Sequence, residues 1–438
     1  MAESQSKVRA TLRAMRHRNF RLFFAGQLIS LIGTWMQNVA QAWLVYRLTG
    51  SSALLGMVGF AGQIPVFLIS PLGGLIADRY SRQRTVIATQ TSAMILAFVL
   101  AGLTLSGRVQ VWHIFVLAAL MGVVNAFDIP ARQAFLVEMV GREDLINAIA
   151  LNSSMFNGAR IVGPAVAGIL VATIGEGWCF FANGASYIAV IIGLTMIRVG
   201  PAAVPKKGSA LSHIIEGFRF VADTTPIRAL LLLLGLVSLT GMPYAVLMPI
   251  FADQIFHSGA RGLGILMGFS GAGALIGALA LATRQSVSGL GRWVAVSTGV
   301  FGVSLILFSF SRSFWIAAAL LIPVGLAMMT QMGASNTLIQ SMTPDHLRGR
   351  VMSVYSMMFM GMAPVGALLA GVLADRLGAP VTVAIGGAIA IVGSIIFGLR
   401  LRALRPETRR LIMAQHMVGG DPADEVTAQG EAADLIKK

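Results

Sequence analysis

Gly74-Leu75-Ile76-Ala77-Asp78-Arg79-Tyr80-Ser81-Arg82-Gln83-Arg84 closes an apolar run that begins near residue 53. The apolar residues stop at Ala77, and Arg79, Arg82 and Arg84 follow at once. A chain leaving hydrocarbon for water makes such a boundary, because about 20 apolar residues cross a bilayer and cations stay outside it. Measured outward from this point, the same length of apolar chain recurs at 21–46, 53–76, 86–106, 111–129, 147–173, 178–197, 229–251, 262–282, 293–310, 314–336, 351–374 and 380–399. The expected fold class is therefore an all-α membrane protein with twelve transmembrane helices. The first run follows basic residues, and Ala40-Gln41-Ala42 imitates a cleavage site. It is nevertheless too long for a signal peptide.

The composition agrees. Of 438 residues, 56% are hydrophobic and 12% charged, against about 25% charged in soluble domains. Disorder, collagen and coiled coils are excluded, and too few charges remain to cover a soluble surface. The net charge of +15 suits either nucleic acid or basic membrane loops, and its placement decides between them. Alternate loops and both tails, taken as one side, hold 27 cations; the opposite loops hold five, and Arg160 belongs to neither. The positive-inside rule then places both termini in the cytoplasm. Spread evenly over one face, the charge does not describe a nucleic-acid groove. Cys179 stands alone, so no internal disulfide forms, and the six histidines have no metal-ligand spacing. Without a P-loop, nucleophile elbow or zinc motif, no enzyme activity, metal or cofactor is expected.

Shifted by 203 residues, the chain meets itself. Ser153 falls on Ser356, Phe156 on Phe359, Gly158 on Gly361, Gly163 on Gly366 and Gly168 on Gly371; Gly59 and Gly74 fall on Gly262 and Gly277. Two six-helix bundles related by an axis along the membrane normal are a transporter architecture. The expected organisation is a cytoplasmic N-tail (1–20), an N-terminal bundle (21–197), a cytoplasmic linker (198–228) with Pro201, Pro205, Lys206 and Lys207, a C-terminal bundle (229–399) and a cytoplasmic C-tail (400–438).

Gly74 to Arg82 resembles the signature loop of the major facilitator superfamily, with Ser81 in place of its second glycine; the second half has Leu281 where Asp78 would fall. The resemblance implies that Gly74, Asp78, Arg79, Arg82, Asp128 and Arg132 belong to a cytoplasmic gate. Asp78 would meet the positive N-terminal end of span 11 near Gly349-Arg350, and Arg82 would pair with Asp128. The alternative is a solvated turn that only sets topology. Asn157-Gly158-Ala159-Arg160-Ile161-Val162-Gly163-Pro164-Ala165-Val166-Ala167-Gly168 resembles the span-5 motif of antiporting exporters, through Gly158, Gly163, Pro164 and Gly168; small-residue packing is the other reading. Phe127-Asp128-Ile129-Pro130-Ala131-Arg132, Gly141-Arg142-Glu143-Asp144 and Gly33-Thr34-Trp35-Met36-Gln37 look like the enterobactin-exporter-like branch, also described as transmembrane secretion effectors.

Charge inside a membrane span costs about 2.5–3.5 kcal/mol on insertion scales and marks function or structural glue. Arg160 is the clear case, expected to meet an anionic or acceptor-rich substrate or else to bond backbone carbonyls or Asn157. Gln37, Asn38 and Gln41 in span 1 are candidate cavity groups or inter-helix glue; Asn152, Asn157 and Tyr355 are further candidates. No acid sits deep in a span, so Asp128 is the choice of proton site and proton coupling rests on the resemblance. The expected function is a monomeric, proton-driven exporter of a small amphipathic molecule, anionic or polyhydroxylated, such as a siderophore or drug, in the inner membrane. An importer of a metabolite or iron chelate, or a non-transporting receptor, are the alternatives.

Overall fold

A computed structural model describes residues 13–141, 143–198, 210–284 and 287–418. Lys7, Arg9, Arg142, Pro201, Pro205, Lys206, Lys207, Lys437 and Lys438 lie outside the described residues, as does the side chain of Asp78. After a 3-10 turn at Arg13–Arg16 come α1 (Arg18–Thr49), α2 (Ser52–Arg79), α3 (Arg82–Leu105), α4 (Val111–Val140), α5 (Leu145–Ile174) and α6 (Glu176–Met196). A linker helix, α7 (Ala210–Asp223), leads to α8 (Thr225–Thr240) and α9 (Tyr244–Ile250), which share span 7 with a π-turn at Phe251–Ile255. Spans 8 to 12 are α10 (Gly259–Ala282), α11 (Leu290–Phe310), α12 (Phe314–Met342), α13 (Asp345–Leu377) and α14 (Ala379–Val418).

Among the described residues, 11 helical stretches are long and apolar enough to cross a membrane. The remaining span is α1, whose 32 residues include Gln27, Thr34, Gln37, Asn38 and Gln41 and so are less apolar. It packs against α6 through Gly26 and Gly33 and against α5 at Gly163.

Several boundaries differ from the hydropathy reading, three of them with consequences for the site. Helix α4 continues past 129 through Pro130 to Val140, α14 runs on to Val418, and the linker contains α7. Hydropathy marks the part of a helix that sits in hydrocarbon, whereas the hydrogen-bonded helix continues into water. Span 7, expected as one helix, breaks at Gly241-Met242-Pro243.

Prolines position several crossings. A proline leaves the carbonyl four residues earlier without its helical donor. Pro130, Pro164 and Pro243 free the carbonyls of Ala126, Arg160 and Leu239, which face Gly73 of α2, Gly271 of α10 and Gly366 of α13 respectively. Glycine Cα–H groups there provide weak donors and let the backbones touch. The 203-residue repeat is visible in the same contacts. Gly163 packs on α1 at Ile32, Trp35 and Met36, and its counterpart Gly366 packs on α8 at Leu239.

Among the described residues the bundles share an apolar core on one face. One apolar core there runs through both halves, with Tyr46, Leu55 and Ala167 beside Leu247, Leu263 and Ala374. On the face bearing the chain ends, the core divides. One cluster, including Phe20, Phe135 and Val190, belongs to the N-terminal half; the other, including Leu230, Leu338 and Val351, belongs to the C-terminal half and α7. The two halves therefore splay towards the terminal face.

Candidate substrate path and gates

The closed face is sealed by two glycine crossings and two hydrogen-bonded contacts. Gly56 of α2 lies against Ala367 and Gly371 of α13, and Gly168 of α5 lies against Gly264 of α10, where an added Cβ would sit 2.9 Å from the Gly264 Cα. Asp375 of α13 accepts from the amides of Ser52 (2.7 Å) and Ala53 (3.2 Å) and from Ser51 Oγ (3.1 Å). A carboxylate on a helix N-terminus is stabilising by about 0.3–1 kcal/mol. Tyr46 Oη donates to Asp253 Oδ2 in the π-turn at 2.8 Å. Both bonded contacts join one half to the other.

The described residues leave space on the terminal face along the same helices. Gly74 is 18 residues beyond Gly56, five turns along α2 and on the same side of it, yet among the described residues no atom would meet its Cβ within 4 Å. Gly349, at the matching end of α13, is equally free among the described residues. Phe67 against Gly361 is a contact between these extremes. Among the described residues the contacts between the halves thus thin from the seal towards the terminal face, where the core divides.

Arg160 lies where the crossing of α5 with α10 ends. Its carbonyl faces Gly271, and its guanidinium sits over the Trp35 ring of α1, 5.8 Å from the centroid. Tyr244, at the start of α9 after the break in span 7, is joined to this crossing through Ser270 of α10, the neighbour of Gly271. Tyr244 Oη shares a 2.8 Å hydrogen bond with Ser270 Oγ of α10. A cation, an indole face and a hydroxyl pair from four helices of both halves converge there. Among the described residues no carboxylate pairs with Arg160. Such a group can bind a carboxylate, catecholate or phosphate, with the aromatic rings supplying apolar surface.

The other candidates separate by environment. Gln37 is buried, and its Oε1 accepts from Asn183 Nδ2 of α6 at 2.7 Å, so it joins two helices of one half. Asn38 is exposed and shares a helix side with Trp35, three residues earlier. Gln41 and Asn152 are half-buried. Asn157 donates to the Ser153 carbonyl of its own helix (2.9 Å), and Tyr355 donates to the Met332 carbonyl of α12 (3.2 Å), within the C-terminal half. Of the seven, Arg160 packs on Trp35 and Asn38 lies about one turn from Trp35 along α1, whereas Gln37, Asn157 and Tyr355 are engaged within their own halves.

The expected pair of Arg82 with Asp128 is replaced by two others. Arg82 Nη1 binds Glu138 Oε1 at 2.8 Å. Asp128 is buried inside α4; Arg132 lies 2.8 Å from its Oδ2, while Thr89 Oγ1 (2.8 Å) and Gln90 Nε2 (2.9 Å) donate to its Oδ1. The extension of α4 explains the exchange, since it puts Glu138 ten residues nearer the helix end, beside the start of α3. Arg79 is exposed. Arg350 pairs with Glu216, so α7 is tied to the beginning of α13. Before α5, Asp144 binds His17 (2.9 Å) and Arg13 (3.5 Å); the His17 hydrogen bond, then these cations, hold its carboxyl below the usual carboxylate range.

Sequence reasoning did not reach Tyr244, Ser270, Asp375 or the Tyr46–Asp253 pair. The Gly241-Met242-Pro243 break was a signal for Tyr244, because broken membrane helices frame transporter sites. Nothing local marked Asp375, whose role depends on α2 lying beside α13. Gln331 is buried in α12, with both amide atoms lacking a hydrogen-bond partner among the described residues.

Known proteins place the chain. A family profile described as transmembrane secretion effector matches residues 9–429. The staphyloferrin A transporter of Staphylococcus aureus is 26% identical over 88% of this chain and 97% of its own. The multidrug efflux pump Tap of Mycobacterium tuberculosis is 30% identical over 88% and 94%, and the enterobactin exporter EntS of Citrobacter koseri 26% over 93% and 96%. Among solved structures, the nucleoside transporter NupG superposes with a TM-score of 0.69 at 14% identity, covering 88% of this chain and 98% of NupG. The chain is a multi-span membrane protein of the transmembrane secretion effector family, within the major facilitator superfamily.

Proposed function

We propose that this protein is an exporter of small amphipathic organic molecules, siderophores or drugs, working by alternating access. The observation that carries this reading is Arg160 over Trp35 at the junction of the two halves, its carbonyl facing Gly271. The names of the relatives, two siderophore transporters and a multidrug efflux pump, support the substrate class. An acceptor-rich substrate enters from the terminal face, displaces water at Arg160, and exchanges that hydration for a fixed cation and aromatic surface. Its binding favours a state in which both halves close behind it and the glycine crossings part.

The charge distribution supports a cytoplasmic terminal face and an inner-membrane location, so the divided core faces the cytoplasm. One chain contributes both halves of the path and acts as a monomer. The proton gradient drives the cycle, with Asp128 as the proton site. Its burial beside Arg132, Thr89 and Gln90 ties protonation to the packing of α4 against α3.

The test is transport into inside-out vesicles carrying the wild-type protein, Arg160→Ala or Asp128→Asn. Wild-type vesicles should accumulate a siderophore or dye when acidified inside, and right-side-out vesicles should not. Arg160→Ala should lose at least tenfold in uptake with normal expression. Asp128→Asn should lose the dependence on the pH gradient. Normal uptake by Arg160→Ala would sink the central-cation reading, and uptake only by right-side-out vesicles would make the protein an importer.

A further inference from the structure

A large cavity lies away from Arg160, inside the terminal side of the C-terminal half. Its volume is about 1200 Å³, at the upper end of ligand sites. Helices α8, α11, α12 and α14 enclose it. Leu230, Leu338 and Phe397 line its deeper part; Arg292, Arg405 and Arg409 line its mouth, and among the described residues no acid lines it. Among the described residues, none of these three arginines forms an ion pair.

The arrangement follows from the local sequence. Helix α14 leaves the apolar span near residue 399 and continues for nearly twenty residues. Arg405 and Arg409 are four apart on this extension, so both project from one side. Glu407, two residues from each, points to the other side. Arg292 is in the first turn of α11, across the cavity mouth. Cations four apart repel one another, and a helix keeps them together at a cost that a bound anion removes.

We infer that this cavity binds a phospholipid with an anionic headgroup. The phosphate sits among Arg292, Arg405 and Arg409, and the acyl chains run along Phe397, Leu230 and Leu338. Charge and depth fit that ligand in order, with cations at the water boundary and apolar wall further in. A soluble phosphate would use the arginines and leave the apolar wall empty. Basic pockets between helices on the cytoplasmic side recognise headgroups in this way. The bound lipid joins α11 to the α14 extension, outside the route that Arg160 lines.

Full-length protein in zwitterionic detergent should be titrated with phosphatidylglycerol, phosphatidylcholine or inorganic phosphate and followed by native mass spectrometry. Phosphatidylglycerol should be retained and phosphatidylcholine should not. The triple substitution Arg292→Gln, Arg405→Gln, Arg409→Gln should weaken phosphatidylglycerol on the order of 100-fold, about fivefold for each arginine. Arg400→Gln with Arg402→Gln, outside the cavity, should change it by less than about twofold. Thr408→Trp fills the cavity with the arginines kept and should also abolish retention. Equal binding of the two lipids, equal loss in the Arg400/Arg402 control, unchanged binding in Thr408→Trp, or displacement by millimolar phosphate would each overturn the assignment. None of these readouts depends on transport, so the lipid site and the exporter reading fail separately.

Discussion

Two adjacent amides on α1 have different roles. Gln37 is bonded to Asn183, and its replacement by leucine leaves a buried amide without its acceptor. Gln37→Leu should cost about 0.6–2 kcal/mol in stability, seen as a lower thermal midpoint in detergent. Asn38 is exposed beside Trp35, and Asn38→Ala should keep the midpoint while altering substrate affinity; an unchanged affinity profile would remove it from the site. From sequence the two were indistinguishable, because an amide in an apolar helix signals only that it faces protein or water. Choosing between those needs the neighbour, here α6, which arrives some 150 residues later. Arg160 was legible for the opposite reason, since an intramembrane charge is notable whatever surrounds it. Outside the membrane, Asp144 has a lowered carboxyl pKa through His17. A depressed carboxylate adds stability above its unfolded pKa and loses it as pH falls through the folded one. The turn at Arg13–Arg16 should therefore stay docked at neutral pH and lose amide protection in acid, measured relative to the intrinsic exchange rate at each pH. Asp144→Asn should reproduce that loss at pH 7, measured by hydrogen–deuterium exchange.

At the scale of the helix, the spans were readable and their ends were not. Apolar length located spans 1 to 12, yet α4 and α14 run well past their apolar parts and α8 stops short at Gly241. Helix continuation in water depends on caps and tertiary partners, such as Glu138 with Arg82, which no local window contains. The freed-carbonyl crossings make a sharper prediction. Gly271→Leu would press a side chain onto the Arg160 carbonyl, where even a Cβ would sit 3.1 Å away. It should express and insert but lose most transport, because the closed face no longer seals at that depth. Asp375→Ala removes the carboxylate that holds the start of α2. The expected result is faster labelling of a cysteine placed at Ser52 by an impermeant thiol reagent; wild-type labelling rates would remove Asp375 from the seal.

For the whole molecule, one rigid exchange connects the two faces. Spin labels at Arg79 and Gly349 should approach one another when substrate and a pH gradient are applied, while labels at Ser52 and Ala374 separate. Motion at one pair alone would contradict rocking of intact halves. The repeat at 203 residues made two bundles legible, because glycine spacing survives in both copies. Which face is shut was not legible, since the same residues serve both states and only the divided core on the terminal face distinguishes them.

The Phe67–Gly361 contact has a mechanical meaning. It lies 11 residues from Gly56 and seven from Gly74, or about 16 Å and 10 Å along α2 at 1.5 Å per residue. If α2 pivots there as a stiff lever, the arms are unequal, and displacement at the sealed end exceeds that at the terminal end by about 1.6-fold. A modest closure of the terminal mouth by about 6 Å would then open the sealed face by about 10 Å. Such a ratio favours release of a bulky cargo through an exit wider than the gap that closed behind it.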